Sequence, residues 1–246
     1  MTQRPRFNSL SDDQSTNSSG SESSDTDDEY AAYTDLYKAV QSNDRNATMK
    51  FFRDHPDTID KKITPRGKRA LHVAVAAGHV NMVKELVTLM SEEQLLKKDL
   101  NGLAALDETT LVGNQEMAEC ILGKNRDLVS IGDERKHIPV VLALANGHMN
   151  LARYLYSKAR PGDLKPENGD HGATLLTEAI YNRNLDMALH IIQCYPELAI
   201  ARDRANRTPL LALASMPCVF SSENSLVFWK RWIYSTGKTT VEVMVE

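Results

Sequence analysis

The chain has 246 residues, of which 41% are hydrophobic and 25% charged, a composition typical of a folded protein. Its formal charge of -4 comes from the N-terminus, because residues 1–30 hold seven acidic residues and two arginines. The rest of the chain is therefore almost neutral, which argues against a nucleic-acid-binding protein with a broad basic face. Three cysteines without a CxxC spacing argue against a disulfide-rich secreted domain and favour a reducing compartment.

Residues 1–30 are predicted to form a disordered, acidic, serine-rich tail. Residues 8–29 contain no lysine or arginine and one large apolar side chain, Leu10, so they cannot offset the entropy of ordering by burial. Four hydroxyl side chains have an acidic residue three positions later, which makes them candidates for phosphorylation by acidophilic kinases: Ser9, Ser19, Ser24 and Thr26. An inert solubilising tail is the alternative.

No stretch of the sequence predicts a secretory signal or a membrane-spanning helix. The N-terminus lacks an apolar signal core. The longest strongly apolar run, Ile138–Ala145, is far shorter than the roughly 20 residues that cross a bilayer. We therefore expect a cytoplasmic protein.

From residue 31 onward, an apolar pattern recurs at intervals of 34 to 36 residues. A fixed period of this size is typical of stacked repeats. We call the first shared apolar residue of each repeat the landmark position, and it falls at Leu36, Leu71, Leu106, Val140, Leu176 and Leu210. Residues 31–215 are thus predicted to be a repeat domain of six repeats.

Each of the first five repeats predicts two short antiparallel helices, whereas the sixth is broken after its first helix. In the clearest one, the apolar stretch Ala70–Ala77 ends at Gly78, and a second stretch follows with apolar residues at helical spacing. Asn43 stands at the glycine position of the first repeat. Leu106 and Leu176 are expected to be buried between helices. Turns that resemble fingers are expected near 64–68, 99–103, 133–137, 169–173 and 203–207.

The segment GKRALHVAVAAGHVNMVKELV, residues 67–87, resembles the ankyrin-repeat consensus, with ALH for TPLH followed by a GH pair. Thr208, Pro209 and Leu210 match the TPL of that motif, and three repeats open with an aspartate where the family has its β-turn finger: Asp99, Asp133 and Asp203. The resemblance covers about residues 31–215. It implies an all-α ankyrin-repeat solenoid of about six stacked units that binds other proteins and is not an enzyme.

A narrower resemblance lies in SMPCVFSSENSLVFWKRWIYS, residues 215–235. This segment is similar to the one after the last repeat in plant ankyrin proteins with a C-terminal PGG membrane domain. That resemblance implies a cytoplasmic repeat array in plant stress or defence signalling. The chain departs from the family after Tyr234, where neither a PGG motif nor a membrane helix follows. A soluble adaptor is therefore the first hypothesis, and the cytoplasmic portion of a membrane-tethered sensor is the second.

The ankyrin resemblance places the finger tips and the ends of the first helices on a concave partner-binding face. Apolar side chains exposed together on such a face often mark an interface, so Leu103, Leu111, Val112 and Tyr181 are the strongest candidates. The full predicted set is Arg66, Lys68, Asn101, Leu103, Leu111, Val112, Glu134, Arg135, His137, Asn146, His171, Tyr181, Asn182, Arg204 and Arg207.

Residues 216–246 are predicted to contain a capping segment followed by a short divergent tail. Leu226–Tyr234 includes Trp229 and Trp232, and on a helix it presents two adjoining apolar strips. Repeat arrays need a cap over their open end. Because little of this segment is polar, Trp229 and Trp232 are also expected to contact another chain, a membrane surface or a missing domain.

No motif of the sequence predicts a catalytic, nucleotide or metal site. The TGKTT segment, residues 236–240, lacks the upstream glycine of a phosphate-binding loop, whose place Trp232 occupies. His72, His79 and His148 are the candidates for metal ligands, but the resemblance gives His72 a role in hydrogen bonding between fingers. His79 and His148 follow the inter-helix glycine of two separate repeats, which stacking would hold on the order of 10 Å apart, too far to share one metal ion. Cys120 is expected to be a small buried hydrophobe in a helix. No cofactor, metal or nucleic acid is therefore predicted, and the partner and oligomeric state stay open.

Overall fold

The computed structural model describes Tyr30 and residues 32–216. These form two compact units: unit one runs to Leu128 and includes Asp133–Arg135, and unit two comprises Val129–Gly132 and the residues from Lys136 onward. Within the described ranges the ordered elements are helices and none is a strand, so the predicted all-α class is confirmed. None of these helices has the length and apolar character needed to cross a membrane.

Unit one is built from helix pairs. Its α-helices are α1 Thr34–Gln41, α2 Arg45–Asp54, α3 Ala70–Ala76, α4 Val80–Leu89, α5 Glu92–Leu95, α6 Ala105–Val112 and α7 Gln115–Lys124. The first helices α1, α3 and α6 pack side by side, and the second helices α4 and α7 pack against each other. The landmark residues Leu36, Leu71 and Leu106 are each 1% exposed, so they form the core between these layers.

A left-handed residue ends the first helix of each pair in unit one. The φ angles are +80° at Gly78 and +78° at Gly113, and Asn43 at the corresponding position has a φ of +60°. Asparagine is one of the few side chains that tolerate this conformation. The predicted equivalence of Asn43 to the repeat glycines is therefore confirmed.

Unit two repeats the arrangement with a longer central pair. Its α-helices are α8 Pro139–Ala145, α9 Met149–Lys158, α10 His171–Tyr181, α11 Leu185–Cys194 and α12 Pro209–Ala214. The first helices α8, α10 and α12 pack in sequence, and α9 and α11 pack against their own partners α8 and α10. Leu176 is buried, as predicted, whereas the landmark Leu210 is 53% exposed. The repeat period therefore predicts the helix at Leu210 but not its burial.

The finger predicted at residues 169–173 is wrong. Helix α10 already begins at His171, and the segment before it forms short 3-10 helices at Pro161–Leu164 and Pro166–Asn168. Gly169 stands where Asp99 and Asp203 open their fingers, so the carboxylate that would close the turn is missing. Gly172 then packs so closely on the Leu164 carbonyl that a side chain would not fit. The other four predicted fingers are turns.

Several predictions fall on residues outside the described ranges. They include the acidic tail with Ser9, Ser19, Ser24 and Thr26, and the C-terminal segment with Trp229 and Trp232. The TGKTT segment also lies there. These stay predictions.

Candidate protein-binding surface

The finger of unit one that opens at Asp99 is closed by its own carboxylate. Oδ1 of Asp99 accepts hydrogen bonds from the backbone N–H groups of Asn101 and Leu103, both at 2.9 Å. The Asp99 N–H in turn donates to the Leu103 carbonyl at 2.9 Å. Asp99 is buried, so these bonds are shielded from water and hold the exposed Asn101 side chain at the tip.

The preceding finger, residues 64–68, is held by a hydroxyl in place of a carboxylate. Oγ1 of Thr64 accepts from the Lys68 N–H at 3.0 Å, and Gly67 adopts a φ of +72°. The two fingers are joined, because the Leu100 N–H donates to the Arg66 carbonyl at 3.0 Å. Arg66 is exposed, whereas Lys68 donates to the buried Glu108 on α6 at 2.7 Å. Of these two predicted contact residues, Arg66 is thus the accessible one.

His72 ties α3 to the next finger, as the ankyrin resemblance implied. Its Nε2 lies 3.1 Å from the Leu103 carbonyl. Burial lowers the pKa of His72 to about 4, so the ring is neutral at physiological pH and Nε2 must carry the donated proton. Leu103 itself is half-buried, so its side chain is less available to a partner than the sequence suggested.

Asp107 on α6 occupies the repeat position of His72, one residue after the landmark leucine. Its Oδ2 accepts from the Ala104 N–H at 2.9 Å, whereas the buried Oδ1 has no hydrogen-bond partner. Burial raises the pKa of this carboxyl to about 7. Arg69 is another buried charged residue that the sequence gave no reason to expect, and it donates to the carbonyls of Asp60 and Lys98 at 2.7 and 2.9 Å.

Large apolar side chains remain exposed at the end of α6. Leu111 is 46% and Val112 39% exposed, which agrees with the predicted binding face. Leu100 at a finger tip is 59% exposed. It is not in the predicted set, although it lies between Asp99 and the predicted tip residue Asn101. Glu134 and Arg135 are exposed at the turn of the finger that follows.

The finger of unit two that opens at Asp203 uses more side-chain contacts. Oδ1 of Asp203 accepts from the Arg207 N–H at 2.7 Å, and Oδ2 accepts from Arg207 Nε at 2.8 Å and from the Thr177 hydroxyl at 3.0 Å. The Arg207 guanidinium lies 4.7 Å from the centre of the Tyr181 ring, a cation–π contact. Tyr181 is therefore half-buried beneath Arg207 and less exposed than predicted.

The other predicted residues of unit two take part in internal contacts. Arg204 donates to both carboxylate oxygens of Asp170, at 2.6 and 3.0 Å. Burial alone would raise the pKa of Asp170, but hydrogen bonding and the charge of Arg204 bring it below its ordinary value. Asn146 and Asn182 each donate at 2.9 Å to a carbonyl of the helix that they end. His137 and His171 are half-buried.

A groove of about 790 Å³ opens in unit one between α1, α3 and the finger at residues 64–68. Tyr30, Thr34, Tyr37 and Gln41 line one side at helical spacing, and the finger residues, among them Arg66, line the other. The sequence could have revealed this stripe, because positions three and four apart share a helix face. None of the described lining residues is acidic.

Two side chains weighed for chemistry have structural surroundings. His79 Nε2 lies 2.8 Å from the Gln41 carbonyl. Cys120 is half-buried in α7, so the prediction that it is buried is wrong in part. The next two residues, Ile121 and Leu122, take the core-facing positions. Burial raises the pKa of its thiol. In the part of the chain that the structure describes, no group of three or more potential metal ligands comes together.

Comparison with known protein families agrees with this geometry. A family model described as ankyrin repeats (3 copies) matches residues 36–131. The matched range begins within α1 and contains α2, the pairs α3–α4 and α6–α7, and both fingers of unit one described above. No curated protein matches the chain. Ankyrin repeats indicate a protein–protein interaction module.

Proposed function

We propose that this chain, which carries ankyrin repeats over residues 36–131, is an adaptor that binds a partner protein through its fingers and the ends of its first helices. One observation carries the proposal. The finger backbones are fixed by part-buried hydrogen bonds while the side chains at their tips and at the end of α6 stay exposed. Leu100, Leu111 and Val112 are 59%, 46% and 39% exposed. A rigid backbone lowers the entropy that binding must overcome.

The mechanism is the presentation of variable side chains on a fixed frame. Exposed apolar groups supply most of the binding free energy at such surfaces, and polar groups around them set specificity. The predicted polar contacts are Arg66 and Asn101 in unit one, with Glu134 and Arg135 at the finger that follows. No catalytic group is required for this role.

The narrower resemblance of residues 215–235 supports a cytoplasmic adaptor in plant stress or defence signalling. The same resemblance supports a second candidate, in which this chain is the cytoplasmic portion of a membrane-tethered protein. Fractionation of the native protein into membrane and soluble pools distinguishes them. Recovery of the native protein with membranes would favour the second candidate, and recovery in the soluble pool would favour the first.

Substitution of Leu111 and Val112 by Ser tests the binding face. The control is Leu89→Ser on α4, which removes an equally exposed side chain, 52% exposed, from a second helix. We expect affinity capture from the source cells to lose its partner with the double variant and to retain it with the control. Both proteins should keep their helical circular dichroism. Undiminished capture by the double variant would mean that the partner binds elsewhere, on the second helices or on the termini.

A further inference from the structure

Two short segments of this chain carry opposite charges at high density. Residues 22–29 hold five acidic residues and no basic one, and residues 61–69 hold five basic residues and no acidic one. In the basic segment Lys61, Lys62 and Arg66 are exposed. Lys68 is partly neutralised by Glu108, and Arg69 is buried. Three positive charges of the segment therefore face solvent.

Part of the basic segment forms one wall of the groove in unit one, and Lys61 and Lys62 directly precede that part in the chain. Ile63, Pro65 and Arg66 line this wall, Tyr30 and Tyr37 line the opposite one, and small side chains such as Ala76 lie between them. The volume of about 790 Å³ suits a short peptide in size. Small residues between the walls let a peptide backbone approach, and the absence of acidic lining residues in the described groove favours an anionic occupant.

The acidic segment is attached to this groove by a single peptide bond. Residue 29 precedes Tyr30, and Tyr30 lines the groove. Eight extended residues reach about 27 Å, which is enough to run along the groove. A tether this short gives an effective concentration of the order of millimolar, so even a weak intrinsic affinity fills the groove.

We propose that the acidic segment, residues 22–29, binds in cis in this groove against Arg66, with the exposed Lys61 and Lys62 beside the groove adding to the attraction. The groove is then closed to any other anionic peptide unless that peptide displaces the segment. Phosphorylation of Ser24 or Thr26 adds about -1.5 to -2 charges each and strengthens the contact. The inference does not depend on the partner-binding face at Leu111 and Val112, which a separate capture experiment tests.

Competition in trans tests the proposal on the full chain. The probe is a fluorescein-labelled peptide of residues 21–29, titrated and followed by fluorescence anisotropy. The chain is used as wild type and as the neutralised variant D25N/D27N/D28N/E29Q. We expect the neutralised chain to bind the peptide at least tenfold more tightly, because its own segment no longer competes. Equal binding by both chains, or no binding by the neutralised chain, would overturn the proposal.

Charge changes in the neutralised chain locate the binding site. R66E, or K61Q/K62Q if R66E disturbs folding, should weaken peptide binding at least tenfold. The control R53E makes the same charge change at an exposed arginine of α2 outside the groove and should leave binding unchanged. Weakening by R53E to the same extent would mean nonspecific charge attraction and would also overturn the proposal. Circular dichroism melts verify that each variant is folded.

Discussion

The fingers at Asp99 and Asp203 are each closed by the carboxylate of their own aspartate, but they are hydrogen-bonded to the preceding first helix in different ways. In unit one, His72 donates to a backbone carbonyl of the finger at Leu103. In unit two, Thr177 stands at the same repeat position and donates to the carboxylate of Asp203 itself. The residue after the landmark position must donate a hydrogen bond to the next finger. The longer histidine and the shorter threonine both do so, but they donate to different acceptors.

Asp107 shows what happens when that position carries no donor. Its carboxylate turns back to the start of its own helix, accepts from Ala104 and leaves Oδ1 buried without a partner. A buried acceptor without a partner is costly. The comparison therefore indicates that the repeat period fixes where this side chain lies, whereas its chemistry decides whether it links neighbouring repeats.

The largest expected effect is a loss of stability on truncating the landmark leucines that are buried in both units. Leu106→Ala and Leu176→Ala should each lower the free energy of unfolding by about 2–5 kcal/mol, because both side chains are buried between helices. Urea unfolding followed by circular dichroism measures the loss. Leu210→Ala is the control, since that landmark is 53% exposed and should cost far less. Three equal losses would contradict the packing described for the two units.

The next effect concerns His72 and Asp107 and depends on pH. The pKa of His72 falls from 6.5 to about 4 on folding, so its stabilisation is present above pH 6.5 and lost as pH falls towards 4. The pKa of Asp107 rises from 3.8 to about 7, so stability is lost as pH rises from 4 to 7. Each effect is of the order of 2–4 kcal/mol, and the two oppose each other.

Single variants should separate these opposing slopes. We expect Asp107→Asn to give a protein whose unfolding free energy rises between pH 4.5 and 6.5, and His72→Gln to give one whose unfolding free energy falls. The wild type should vary less than either. Urea titrations at half-unit pH steps measure all three curves. If the three curves run parallel, neither buried group titrates as described.

A smaller effect tests the link between α10 and the finger of unit two. Thr177→Val removes the hydroxyl that donates to Asp203 and should cost about 1–2 kcal/mol, because a buried acceptor loses a partner. Thr110→Val is the matched control, since that buried hydroxyl donates only to the Asp107 carbonyl in its own helix. Thermal unfolding that shifts equally for both would show that the link to the finger adds nothing.

The smallest effect concerns the left-handed residue between paired helices. Gly78 has a φ of +80° with open space where a Cβ would lie, so Gly78→Ala should cost about 1 kcal/mol through backbone strain alone. Arg183 stands at the same position of unit two with a φ of +57°. Arg183→Gly should relieve strain and stabilise by up to about 1 kcal/mol. Opposite signs in differential scanning calorimetry are the expected result.

The repeat period predicted most of this fold because apolar residues recur where paired helices pack on one another. Leu71 and Leu106 recur at core positions, and Asn43 was recognised from its register as the counterpart of Gly78. The missing finger at Gly169 could not be predicted from the period, because the turn depends on one carboxylate rather than on apolar spacing. The exposure of Leu210 escaped for a similar reason, since burial depends on neighbours as well as on pattern.

The candidate site was harder to predict than the fold. Leu111 and Val112 were correctly expected to be exposed, because they follow the core-facing part of α6. Lys68 and Tyr181 were expected at the surface, but both are half-buried, because Lys68 pairs with the buried Glu108 and Arg207 covers the ring of Tyr181. Such pairings join residues far apart in sequence, and composition or spacing carries no signal for them.

The bond between the Leu100 N–H and the Arg66 carbonyl has a consequence for engineering. A Cβ on Gly67 would lie 2.9 Å from Leu100 Cγ, so one finger constrains the residues allowed in the other. A library of new binding specificities built on this chain can randomise Arg66, Leu100 and Asn101, whose side chains face solvent. Gly67 has to be kept constant, because it allows neighbouring fingers to lie side by side. Substitutions at Arg66, Leu100 and Asn101 therefore leave the finger backbones unchanged, whereas a substitution at Gly67 would push the two fingers apart.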